Sequence, residues 1–154
     1  MGNFKILLNI NDKDKWEEYL NRLSNNQKDI YFTPDYYKIF EKNDEGIAHC
    51  FVYERNKDIA LYPFLVNSIN EIGYNLEDEY FDIQSVYGYN GILTNSYSPN
   101  FIEEFYTSFN AYCIENNIIA EFIRFHPILN NYRFSIGHMQ IIFDRKTVAL
   151  DLTQ

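Results

Sequence analysis

The stretch "SPNFIEEFYTSFNAYCIENN", residues 98–117, decides the fold. Ile102, Phe105, Tyr106, Phe109 and Cys113 recur every three or four residues, so they share one side of a helix. Ser98 stands at the cap position, and Pro99 takes the first helical position, where a missing N–H costs nothing. β-prone segments at 80–86 and 118–125 flank this helix. Two strands of one sheet joined by a helix form a right-handed crossover and run parallel, so their carboxyl ends lie together.

Working outward, "FKILLNI" (4–10) predicts a strand buried on both faces. In the following helix Trp16, Tyr19, Leu20 and Leu23 form the apolar stripe, and Asp12 or Asp14 can cap it. "TPDYYKIF" restarts a short helix, with Thr33 as cap and Pro34 at its first position. Residues 47–55 and 58–66 read as a hairpin about Asn56 and Lys57, followed by a polar loop at 67–78. After the strand at 80–86 comes a turn with Gly88 and Gly91, and after the strand at 118–125 a loop at 127–137. "HMQIIF" and "TVALDL" predict a last hairpin about "DRK". The order β-α-α-β-β-β-α-β-loop-β-β, without repeat or linker, predicts one α+β domain over residues 1–154, a mixed sheet flanked by helices.

Composition narrows the function. A chain of 154 residues that is 46% hydrophobic, with Tyr 14 and Phe 13, has enough apolar surface for one folded core. Its net charge of −9 and scattered Lys and Arg give phosphates no basic stripe, so direct nucleic-acid binding is not expected. No apolar run reaches membrane-spanning length, "IALYPFLV" being short and broken by Pro63, and no signal peptide or myristoylation pattern is visible. Two isolated cysteines make no disulfide framework, and a cytoplasmic location is expected.

The strand-end stretch "EFIRFHPILNN" (121–131) raises the chemical question. Alternation sets Ala120, Phe122, Arg124 and His126 on one face and Ile119, Glu121, Ile123 and Phe125 on the other. Both faces are mostly apolar, which predicts burial, and a buried guanidinium requires a carboxylate, phosphate or carbonyl partner. With the parallel strands side by side, Tyr87, Tyr89 and Asn90 from one end meet Arg124, His126 and Asn130 from the other, at a place favoured for ligand crevices. Arg124 could hold an anion, the tyrosines could stack on a ring, and Asn130 could read a hydroxyl. A structural reading stands beside this one: Arg124 pairs with Glu121, Asp82 or a carbonyl, and His126 is a satisfied interior histidine. The G-x-x-G of Gly88 and Gly91 shapes a turn more readily than a phosphate loop. No metal site is expected, since His49 and Cys50 face opposite ways and Cys113 lies in a helix stripe. Glu77, Asp78 and Glu79 read as a solvated loop, and no spacing announces a nucleophile.

The element order resembles the Gcn5-related N-acetyltransferase (GNAT) fold. "YGYNG" (87–91) together with "EFIRFHPILNN" resembles the first half of the FemAB-type aminoacyl and acyl transferases, a likeness extending over nearly the whole chain. The resemblance implies transfer of an aminoacyl or acyl group onto an amine of a cell-wall or surface-polysaccharide precursor. It also implies a second, similar domain that holds the acyl-donor site, so that this chain alone binds no cofactor and is inactive alone. Tyr87, Tyr89, Asn90, Arg124, His126 and Asn130 would then bind substrate, with no catalytic residue assigned. The partners implied are a second GNAT-like domain or a homo-oligomer, and a nucleotide-linked sugar or peptidoglycan-type precursor. Acetyl-CoA is not expected to bind, because Pro99 removes one of the N–H groups that a pyrophosphate needs at a helix start. The alternative is a ligand-binding or protein-interaction module that keeps the fold without catalysis.

Overall fold

A computed structural model describes residues 3–150 and Leu152. Among the described residues, six strands and three α-helices form an α+β fold in three layers. β1 (Asn3–Asn9), β2 (Ile47–Arg55) and β3 (Asp58–Ser68) are antiparallel neighbours, with Asn56 at φ 60° turning the β2–β3 hairpin. β3 pairs antiparallel with β4 (Phe81–Gln84) through Leu65–Ser68, and with β5 (Leu93–Thr94) through Ala60 and Leu61. β6 (Ile118–Phe122) runs parallel to β4 as the crossover requires, which makes the sheet mixed and mostly antiparallel.

Pairing with β4 and β5 leaves the middle of β3, around Pro63, without a strand on that side. Proline has no N–H for the ladder, but its carbonyl still needs a donor. Tyr37 and Asn90 supply two, at 3.1 and 2.7 Å. The gap therefore draws Asn90, from the glycine turn, into the sheet.

α1 (Lys13–Asn21) and α2 (Pro34–Lys42) cover one face of the sheet, where Trp16, Tyr37, Cys50, Val52 and Leu61 are buried together. The Trp16 indole N–H donates to the Phe32 carbonyl at 3.0 Å, tying α1 to the turn before α2. α3 (Pro99–Glu115) covers the other face, packing Phe101, Phe105 and Phe109 on Phe51, Tyr62, Phe64 and Ile83. Thr33 caps α2 as its sequence predicts, accepting the Tyr36 N–H. Ser98 stands at the cap of α3, but its side chain makes no cap bond. Asp12 caps nothing in α1; its carboxylate accepts the Asn9 N–H and closes the preceding turn instead.

Three expectations are corrected. β6 ends at Phe122, lies at the sheet edge and is mostly exposed, Phe122 by 69%. Its apolar alternation promised burial on both faces, but the face carrying Phe122 has no helix above it. The reading of Arg124 as a buried cation falls with it: Arg124 is exposed, and its guanidinium needs no protein partner. The expected C-terminal hairpin is also absent, because residues 140–150 form no strand and Ile142, Phe143, Val148 and Leu150 are exposed; Asp151 lies outside the described residues.

Candidate functional site

The glycine turn after β4 is fixed by two close approaches. Gly88 has φ +112°, and a Cβ there would lie 2.2 Å from a ring carbon of Tyr31. Gly91 has φ +110°, and a Cβ there would lie 2.5 Å from the Asn131 amide nitrogen. Both positions need glycine for their backbone angle and for the side chain packed against them.

Between these glycines, Asn90 is wholly buried and ties four segments together. Its N–H donates to the Arg124 carbonyl at 2.7 Å, and its own carbonyl accepts the His126 N–H at 3.0 Å, so β4 and β6 pair once more beyond their ends. The same carbonyl accepts the Asn131 side-chain amide at 2.9 Å, and the Asn90 amide reaches Pro63. The Asn90 Oδ1 is buried without a partner among the described residues.

His126 closes the cluster. Its Nδ1 accepts the N–H groups of Ile128 and Leu129 at 3.3 and 3.2 Å, so the ring hydrogen sits on Nε2, which donates to the Asp29 carboxylate at 3.2 Å. Neither nitrogen is free to take a proton from a substrate. Aromatic rings enclose the imidazole: Tyr89 at 5.4 Å between centroids, Phe32 at 6.1 Å and Tyr31 at 6.2 Å. Tyr36 joins the edge of the group, its ring 5.5 Å from Tyr31 and its hydroxyl donating to the Tyr87 carbonyl at 2.9 Å. Burial raises the Tyr36 hydroxyl pKa, so it stays a donor.

The structure thus brings Tyr89, Asn90 and His126 into one cluster and leaves Tyr87, Arg124 and Asn130 at the surface. Tyr87 is 77% exposed beside the turn. Arg124 makes no ion pair or side-chain hydrogen bond among the described residues. Asn130 is a left-handed residue at φ 51° whose amide donates to the Ile128 carbonyl, which is turn architecture. Sequence reasoning missed Asp29, Tyr31 and Asn131. Asn131 sat within reach of it, in the pair Asn130–Asn131. Asp29 lies 97 residues from His126 and carries no local signal.

Among the described residues, no group of three or more His, Cys, Asp or Glu is placed to hold a metal. Burial lowers the pKa of His49, which stays neutral in the sheet. Among the described residues, no helix is long and apolar enough to cross a membrane. Compared with known proteins, the chain matches no family model, and no curated protein and no solved structure is significantly similar to it. The cluster offers a hydrogen-bonded floor of rings and amides, with an exposed tyrosine and the exposed Arg124 among its sequence neighbours. That arrangement suits binding and holds no activated nucleophile.

Proposed function

We propose that the chain is an acceptor-binding domain on a GNAT-like scaffold, the first half of a FemAB-type transferase. That enzyme would move an aminoacyl or acyl group onto an amine of a cell-wall or surface-polysaccharide precursor. In this reading a second domain holds the acyl donor, and the setting is cytoplasmic. One observation carries the proposal: the parallel ends of β4 and β6 are extended by Asn90 and Phe125 and locked by the glycine turn. The two motifs behind the family resemblance therefore meet in one place. An imidazole with both nitrogens occupied fits a domain that positions an acceptor and leaves proton transfer to another chain segment.

Titration of the chain with a nucleotide-linked amino sugar and with acetyl-CoA, followed by amide NMR shifts, tests this. Saturable shifts around Tyr87, Tyr89 and Arg124 with the sugar nucleotide are expected. Tight acetyl-CoA binding with turnover would overturn the reading.

The second reading, a protein-interaction module, is favoured by the bare apolar face of β6 beside Arg124. Arg124→Met separates the two. An exposed guanidinium contributes within about 0.5 kcal/mol to stability, so the variant should unfold like the parent. Loss of sugar-nucleotide binding would support the acceptor role, and unchanged binding the interaction module.

A further inference from the structure

Beside the His126 cluster, with Ile128, Leu129 and Asn131 shared between them, a cavity opens between the turn at Asn25–Gln27, β5 and the Asn131–Ser135 turn, with a volume of about 200 Å³. Ile92, Leu93 and Phe134 are buried and form its floor, while Tyr97, Arg133 and Asn26 are exposed at its mouth. No carboxylate lines it. In a chain carrying 22 Asp and Glu against 13 Lys and Arg, a cavity whose single charge is positive is a local inversion.

Arg133 makes no ion pair among the described residues. Its guanidinium lies over the rings of Tyr97 and Phe134, 5.2 and 5.1 Å from their centroids. Cation–π contact fixes the plane of the fork and leaves its N–H donors unused. Two carboxamides beside it are also held: Gln27 donates to the Thr94 carbonyl at 2.9 Å, and the Ser24 hydroxyl lies 2.5 Å from Asn26 Oδ1 and 3.0 Å from Gln27 Oε1. A fixed guanidinium binds a carboxylate or phosphate bidentately, carboxamides complement hydroxyls, and the flat face of tyrosine suits the C–H face of a sugar ring. The volume equals the liquid share of roughly seven waters, room for one ring with its substituents but not for a whole nucleotide.

We propose that this cavity binds an anionic monosaccharide unit, a sugar ring carrying a carboxylate or a phosphate. Arg133 holds the anion, Tyr97 packs on the ring, and Asn26 and Gln27 read its hydroxyls. The assignment stands on the cavity alone and does not require the transferase reading.

NMR titration of the full chain with glucuronate, glucose 6-phosphate, glucose and inorganic phosphate tests it. Glucuronate or glucose 6-phosphate should give saturable shifts at Asn26, Gln27, Tyr97 and Arg133, with glucose about tenfold weaker or worse. Arg133→Gln should lose about tenfold or more in affinity while still unfolding cooperatively. Tyr97→Ala should weaken the charged sugars by more than it weakens phosphate, since both lose the ring that steadies Arg133 and only the sugars lose the packing surface. Equal affinity for glucose and glucuronate, phosphate matching glucose 6-phosphate, an unaffected Arg133→Gln variant, or no saturable shift would each overturn the proposal. Shifts from these probes that map to Tyr87 and Arg124 instead would overturn this cavity and leave the acceptor reading standing. Shifts here, with no sugar-nucleotide response at Tyr87 and Arg124, would do the reverse.

Discussion

Gly88 and His126 show what single residues do in this molecule. Gly88 faces the Tyr31 ring at a backbone angle that L side chains rarely adopt, so Gly88→Ala combines strain with a clash. It should cost about 1–3 kcal/mol in urea unfolding. His126 serves as an acceptor for two backbone N–H groups. His126→Ala orphans both and should cost about 2 kcal/mol or more, since each partly buried unpaired donor costs about 1–3 kcal/mol. His126→Asn should lose less, because the Asn Oδ1 falls near the imidazole Nδ1 and keeps the acceptor; urea midpoints of the two variants decide this. The sequence exposed Gly88, Asn90 and His126 as candidates through their residue types. Their roles came from partners far along the chain, Tyr31, Pro63 and Asp29, which no local pattern links to them.

At the scale of elements, β6 illustrates how pairing and covering separate. Glu121 is an exposed residue of an edge strand, yet its carboxyl tip turns under α3 and accepts the Tyr62 hydroxyl. Burial of that tip raises its pKa above the ordinary 4.5, outweighing the hydrogen bond from Tyr62 that lowers it. A raised acid pKa means the folded state holds its proton to higher pH than the unfolded chain does. This stability contribution is therefore full below the ordinary carboxyl range and lost as pH rises through the raised value. Glu121→Gln keeps an acceptor for Tyr62 and removes the charge. Its urea midpoint should exceed the parent's at about pH 8, and the difference should shrink towards about pH 4. Helices were the legible elements: stripes at Trp16, Tyr19 and Leu20 and at Ile102, Phe105 and Phe109 lie where their periodicity put them. The strand pattern of 118–125 predicts parallel pairing with β4, which the structure has, and burial, which it lacks, because alternation reports which residues share a face and says nothing of what lies above it. The hairpin predicted from "HMQIIF" and "TVALDL" failed likewise, since β-propensity needs a neighbouring strand to be realised.

For the whole molecule, two cores on opposite faces of one sheet should unfold together, and the cysteines can report it. Cys50 is fully buried and burial pushes its thiol pKa well up; Cys113 is half-buried, with its thiol pushed up to about 12. Thiolate is the reactive form, so a disulfide reagent at neutral pH should label neither quickly in the native chain and both at the urea midpoint measured by circular dichroism. Fast labelling of Cys50 before that midpoint would show that the core beneath α1 and α2 opens separately. By itself the sequence determined the α+β class, the three helices, the central hairpin and the parallel crossover, because turn residues and hydrophobic periods act over a few neighbouring positions. Only the tertiary structure decided that His126 meets Asp29, that Asn90 fills the gap beside Pro63, and that Arg124 is exposed while Arg133 stands at the mouth of a cavity. Those outcomes depend on which distant segments cover each face of the sheet, and covering is fixed by packing across the whole chain.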